Sequence, residues 1–263
     1  MSGSRPLSRL AAALSWRFLD LVVASWWQLR AAVWRVRPEK FLAGDLAKPL
    51  IVLLPGVYEP WRFMLPAARG LHSQGYRLSP VPGLGRNLKS VAEGARLVQE
   101  SLAELAEKAV TAGRRERVVL LAHSKGGLVG KQVLIDYDAT APANRTYELH
   151  GMVAVATPFA GSRYASRYSG RTLSELNPAH QTIRRLQAAL AVNARIVSLF
   201  PQVDPLIPGE RGLEGSRQGR LNGSGHFRTL AAEETAIAIT SAVAWLEQPQ
   251  REASAEPAET ESS

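Results

Sequence analysis

Val118-Val119-Leu120-Leu121-Ala122-His123-Ser124-Lys125-Gly126-Gly127 is the stretch on which the fold of this chain turns. Its first five residues are apolar without a break, the pattern of a short strand buried on both faces of a sheet. His123 to Gly126 form a tight turn, and a helix runs on through Leu134. Such a strand, turn and helix lift a serine hydroxyl clear of the sheet, provided its neighbours are small enough for strand and helix to approach. Gly126 and Gly127 are small, and Ala122 stands where glycine is commoner but adds only a methyl group. Ser124 is therefore the candidate nucleophile. Leu71-His72-Ser73-Gln74-Gly75 has similar letters, yet it follows a helix and sets bulky Leu71 where the turn requires a small side chain. Ser73 is set aside.

On the N-terminal side, Pro49-Leu50-Ile51-Val52-Leu53-Leu54 is a second continuous apolar run, stopped by Pro55-Gly56, and predicts another buried strand. A helical stretch follows over about 61 to 73. Ser90 and Glu93 form a capping box for a helix to about Ala112, where Gly113 supplies a left-handed cap. On the C-terminal side, residues 149–156 and 195–200 predict two more strands, and about 230 to 246 the last helix. Strand and helix alternate throughout. The expected fold class is therefore α/β, a mainly parallel sheet with helices on both faces.

The 263 residues are 46% apolar and 21% charged, which excludes a collagen-like, mucin-like or wholly disordered polymer and allows one substantial core. One domain is assigned to residues 41–248, with an N-terminal helix within 1–40. The tail over 249–263 has no aliphatic residue larger than Ala and reads as disordered. There is no cysteine, so no disulfide, thiolate metal site or cysteine nucleophile exists, and covalent chemistry must use another group. Its absence suits a reducing, intracellular compartment without excluding secretion. Net charge is +9, and residues 1–40 carry seven basic groups against two acidic ones. This favours anionic partners. No zinc-ligand spacing, stacking motif or basic stripe interleaved with aromatics points to nucleic acid.

Residues 7–37, bounded by Pro6 and Pro38, read as a long helix holding Trp16, Trp26, Trp27 and Trp34. Arg17, Asp20 and Arg30 leave no uncharged window of about 20 residues, so it is not expected to cross a bilayer. The same charges argue against a cleaved signal peptide. Three readings stay open. Tryptophan with arginine suits a helix lying at a membrane surface. Polar positions scattered around the wheel suit a helix docked on its own core or on a second subunit. A targeting segment is the third.

A serine hydroxyl needs a base to take its proton, and the base needs a carboxylate to fix its tautomer. His226, in the loop Gly223-Ser224-Gly225-His226 ahead of the last helix, can reach back over the sheet edge. His123, His150 and His180 read as structural or solvent-facing. Asp204 follows the strand Ile196 to Phe200 and opens the loop Asp204-Pro205-Leu206-Ile207-Pro208. Asp136 and Asp138 fall at the far end of the helix that starts at the serine, about 18 Å away. The chain order then reads Ser, Asp, His.

Leu54-Pro55-Gly56-Val57, Ala122 to Gly127, Thr157-Pro158-Phe159-Ala160-Gly161-Ser162, the Asp204 to Pro208 loop and Gly225-His226 together resemble the compact bacterial lipases and esterases of the α/β-hydrolase fold. The resemblance spans residues 49–246. It implies a triad of Ser124, Asp204 and His226, and an oxyanion hole made by the backbone N–H groups of Val57 and Lys125. It also implies that Thr157 to Ser162 shape the floor beside the site, and that about 163–194 forms a helical cap. Many such lipases have His where Pro55 stands and Met where Lys125 stands. Neither change removes a backbone donor. The Lys125 side chain reads as solvated, with a preference for an anionic head group or acid product as the sharper alternative. Tyr164, Tyr168, Phe159, Trp61 and Phe63 are candidate walls of an acyl pocket, or plain core. The implied activity is hydrolysis of carboxylic esters, lipid-like ones in particular, with no cofactor and no metal. Acyl transfer on the same triad, or a catalytically silent adaptor at membranes, are the alternatives.

Overall fold

A computed structural model describes residues 36–165, 170–207 and 212–248, together with Asp20, Val22, Ser25, Trp26 and Leu29. Those five are helical, Val36 and Arg37 at the end of the helix expected over 7–37 are not, and its other residues and the tail expected over 249–263 lie outside the described residues. In chain order the elements are β1 (Leu50–Leu54), α1 (Leu65–Ser73), β2 (Leu78–Pro80), α2 (Val91–Thr111), β3 (Arg117–His123), α3 (Lys125–Ala139), β4 (Glu148–Val155), α4 (Arg171–Ser174), α5 (Gln181–Ala188), β5 (Ile196–Val203), β6 (Arg217–Ser224) and α6 (Glu233–Glu247). The six strands form one sheet in the order β2-β1-β3-β4-β5-β6, every pair parallel.

Both apolar runs are strands because both faces of the sheet are covered. Successive side chains of a strand point to opposite faces. Leu50, Val52 and Leu54 of β1 join Leu120 and Ala122 of β3 in a cluster completed by α2 and α3. Ile51 and Leu53 join Val119, Leu121, Val153 and Val155 in the opposite cluster, completed by α1 and α6. Each fully buried aliphatic side chain contributes about 1.5–3 kcal/mol relative to exposure, so neither face accepts a polar residue in these strands without cost.

Ser90 caps the helix as expected, its side chain accepting from the Glu93 N–H at 3.2 Å, but the reciprocal bond from the Glu93 carboxylate is not made, and Gly113 takes the left-handed conformation at φ 72°. The helix starting at the serine runs on to Ala139, five residues past Leu134. Two strands were not anticipated. β2 has three residues and ends in Pro80, while β6 is polar with two glycines and buries only Leu221. Both are edge strands, so neither needs the continuous apolar run that marks the centre.

Where the sheet order changes direction, β1 and β3 lie side by side, and their ends are level, Leu54 opposite Ala122. Open parallel sheets place ligands at such a switch point, beyond the carboxyl ends of the strands. Loops after β1, β3, β5 and β6 all meet at that edge.

Candidate active site

Ser124 occupies the sharp turn between β3 and α3 with φ 51° and ψ −126°, a conformation costing a non-glycine residue roughly 1–3 kcal/mol. Its neighbours show why the turn holds. A methyl group on Gly126 would lie 2.0 Å from the Leu54 carbonyl oxygen, and one on Gly127 would lie 2.0 Å from Thr157 Oγ1. The start of α3 is thus pressed against the end of β1 and the loop after β4, and only glycine fits at either position. Ala122 is fully buried within β3, so its methyl group is accommodated.

His226 Nε2 is 2.9 Å from Ser124 Oγ, and its Nδ1 is 2.8 Å from Asp204 Oδ2. The three side chains expected to converge do so from the ends of β3, β5 and β6. Asp204 is itself held: Oδ1 accepts from the N–H groups of Leu206 at 2.8 Å and Ile207 at 2.9 Å. One oxygen therefore orients the loop and the other faces the imidazole. Burial pushes the Asp204 pKa up, but the His226 charge and hydrogen bond and the two N–H donors overcome it and hold the carboxyl below its ordinary value. For His226, burial pulls down, while Asp204 first, then Glu59 and Asp20, carry the ring above its ordinary value.

Lys125 follows Ser124 directly and Val57 lines the same cavity, and among the described residues no hydrogen bond from either backbone N–H to a protein acceptor is found. The Val57 loop is fixed from below by Glu59, a buried residue that sequence reasoning missed. Its Oε2 accepts from the Gly56 N–H at 2.7 Å and lies 2.9 Å from His123 Nδ1. His123 Nε2 in turn is 3.2 Å from the carbonyl oxygen of His226. Asn87 adds a hydrogen bond from Nδ2 to the Pro55 carbonyl at 2.7 Å. His123 is thus structural, as read, and so are His150, whose Nδ1 faces the Leu246 carbonyl, and His180, which caps α5 by accepting from Thr182.

Lys125 corrects its expectation. Its side chain is neither solvated nor free for a head group: it is fully buried, with Nζ donating to the carbonyls of Asn87 and Lys89. Burial lowers its pKa to about 8, against the opposing pull of Glu175 and Glu93. It ties α3 to the loop that also steadies Pro55.

A cavity of about 450 Å³ opens at Ser124 and His226, walled by Tyr164, Leu173, Leu176 and Leu206 among others. Of the four described aromatics named as candidate walls, Tyr164 lines it. Phe159 and Phe63 are core, Trp61 lines a separate cavity of about 490 Å³ beside β2 and α2, and Tyr168 lies outside the described residues. From the Thr157 to Ser162 segment, Pro158 and Ser162 line the cavity. Of the segment expected as a cap, Leu173 and Leu176 line the cavity, and Leu176 joins Ile183 and Leu186 of α5 in the main core.

The crystal structure of lipase B from Aspergillus fumigatus superposes with a TM-score of 0.54 and 17% identity, over 71% of this chain and 50% of that one. Phospholipase PlaB from Legionella pneumophila gives a TM-score of 0.59 and 14% identity, over 74% of this chain and 59% of that one. The chain has the α/β-hydrolase fold. The α/β-hydrolase that matches most of its length among these is a bacterial membrane phospholipase A, at TM-score 0.52 and 14% identity over 91% of this chain and 97% of that one. The chain spans half the length of the Aspergillus lipase and 59% of PlaB. No protein-family model matches it, and no curated protein matches it in sequence.

Proposed function

We propose that this α/β-hydrolase chain cleaves carboxylic esters, lipid-like ones in particular, through an acyl-enzyme on Ser124. One observation supports it above the rest: a strained serine at an open cavity, hydrogen-bonded to an imidazole that a buried carboxylate orients. In this mechanism Asp204 accepts a hydrogen bond from Nδ1–H, which keeps the proton on Nδ1 and leaves Nε2 as the base. Ser124 Oγ attacks the acyl carbon and gives its proton to His226. The oxyanion is held by the Val57 and Lys125 N–H groups, and His226 passes the proton to the departing alcohol. Water then repeats the sequence in reverse and releases the acid. Hydrolysis of p-nitrophenyl esters graded by acyl length tests the proposal, with a fluorophosphonate probe reporting the nucleophile. Product formed only when an acceptor alcohol is supplied would turn the assignment to acyl transfer, and an unlabelled wild type to an adaptor.

The base must be neutral to act, so log kcat/KM falls with unit slope as pH drops through the His226 pKa. An unperturbed imidazole would place that limb at about 6.5. Because the Asp204 charge raises His226, the expected midpoint lies higher. A rate that stays level from about pH 5 to 8 contradicts His226 as base.

Contact with a lipid surface is proposed through the N-terminal helix. Val22, Trp26 and Leu29 are 46%, 53% and 66% exposed. At about 100° per residue they lie about 180–240° around the helix from buried Asp20, so one side faces the domain and the other faces outward. No described helix is long and apolar enough to cross a membrane. Val22→Asp with Leu29→Asp is expected to reduce sedimentation with anionic vesicles several-fold at an unchanged melting temperature. Undiminished sedimentation removes this helix as the contact.

A further inference from the structure

Asp20 is a carboxylate on a basic, apolar segment, and in sequence it registers only as an interruption of a hydrophobic run. In the fold it is 1% exposed, and its partners lie more than 200 residues away. Oδ2 accepts from the His226 N–H at 2.8 Å, and Oδ1 accepts from the N–H groups of Phe227 at 3.1 Å and Arg228 at 3.2 Å. Arg228 Nε stands 3.9 Å from Oδ1. The approach is close enough that a methyl group on Gly225 would lie 2.7 Å from Oδ1. Gly225, with φ 115°, is therefore needed both for the turn and for the carboxylate.

Three consecutive N–H groups converging on one carboxylate constrain a backbone segment strongly, since leaving a buried donor unsatisfied costs about 1–3 kcal/mol. This segment carries the imidazole. The preceding residues, Gly223-Ser224-Gly225, have little intrinsic stiffness, and the His226 carbonyl has its own contact on the opposite side, to His123 Nε2 at 3.2 Å. His226 is thus held at its N–H by Asp20 and at its C=O by the Glu59–His123 pair, while its ring spans Asp204 and Ser124.

We infer that Asp20 is a positioning residue for the base, which makes the N-terminal helix part of the catalytic unit as well as a surface element. The inference rests on His226 being the base, as proposed above. A misplacement of about 1 Å in a catalytic group can lower turnover about 100-fold. Release of the 226–228 backbone is therefore expected to reduce kcat and leave KM for a short soluble ester near its wild-type value.

The test compares Asp20→Asn and Asp20→Glu with wild type. Asparagine retains the size but removes the charge and turns a donor toward backbone N–H groups. It is expected to reduce kcat about 10- to 100-fold and to move the acidic limb to lower pH, because Asp20 is one of the charges that raise His226. The other groups facing the ring stay in place: Asp204 from the loop after β5, Glu59 from the loop after β1, His123 at the end of β3, and Arg228 on its own segment. Glutamate retains the charge, so kcat recovers in part and the limb returns toward wild type. A purely structural role would lower the melting temperature and leave kcat of the folded enzyme at its wild-type value in both variants. Amide exchange over 225–229 and an NMR titration of the His226 ring give readouts that need no turnover. Both are expected to change in Asp20→Asn, with faster exchange and a lower imidazole pKa. Wild-type kcat, limb and exchange in Asp20→Asn overturn the inference. If wild type neither turns over ester nor takes up the probe, the hydrolase proposal fails; exchange and titration then still decide whether Asp20 holds the segment.

Discussion

Ser124→Ala is expected to abolish labelling by a fluorophosphonate probe and to lower ester turnover by roughly 10⁴- to 10⁶-fold, as when a group on which all covalent steps depend is removed. Residual rate over water persists, because the cavity and the Val57 and Lys125 donors remain able to bind substrate and steady an oxyanion. Fold should be retained: the substitution removes one oxygen, and the backbone at φ 51° is no more strained for alanine than for serine. The melting temperature is therefore expected within a few degrees of wild type, which separates lost chemistry from lost structure. Mass spectrometry of the labelled wild type should place the adduct on the peptide containing Ser124. Equal labelling of wild type and Ser124→Ala, or an adduct on Ser73, ends the assignment. Ser73 makes a useful control, since its hydroxyl donates to the Gly70 carbonyl at the end of α1 with no imidazole in its hydrogen bond.

What the sequence revealed and what it concealed follow one physical division. Features dictated by near neighbours are legible. A strand covered on both faces must be apolar throughout, so β1, β3, β4 and β5 stand out. The serine turn is legible because small residues are needed within two positions of it. Asp204 and His226 stand in post-strand loops with their own local marks, a proline-bounded turn and a glycine-flanked histidine. Features decided by distant partners leave no such mark. Glu59 meets His123 across 64 residues and Asp20 meets His226 across 206, and nothing nearby in sequence signals either pairing. The available clue is negative: each is a lone acid where its surroundings are apolar or basic, and a carboxylate there has to find a partner if the fold buries it. Lys125 misled for a related reason. Lysine beside an active serine normally keeps its charge in water, and only the path of the 87–89 loop supplies the carbonyls that hold it inside. The edge strands β2 and β6 are concealed because half of their surroundings are solvent or loops, so their residues are free to be polar.

Asp204→Asn is the sharper test of geometry, because it changes almost no volume and nearly all of the chemistry. In wild type Oδ1 accepts from the Leu206 and Ile207 N–H groups and Oδ2 faces His226 Nδ1. An asparagine has one acceptor oxygen, and the two N–H donors claim it. The amide NH₂ is then turned toward His226, where it can only donate. Nδ1 must become the acceptor, the ring proton moves to Nε2, and Nε2–H points at Ser124 Oγ with no capacity to take its proton. Turnover is expected to fall about 10⁴-fold with KM little changed, since no contact with substrate is lost. The charge that raises the His226 pKa is also lost, so the remaining activity should show its acidic limb at lower pH than wild type. Asp136→Asn provides the contrast: that carboxylate accepts from Gln99 and Gln132 on the far part of α3 and should leave turnover unaltered. A loss smaller than about tenfold in Asp204→Asn, or an equal loss in Asp136→Asn, would mean that the carboxylate beside His226 stabilises the fold and does not set the tautomer on which attack by Ser124 depends.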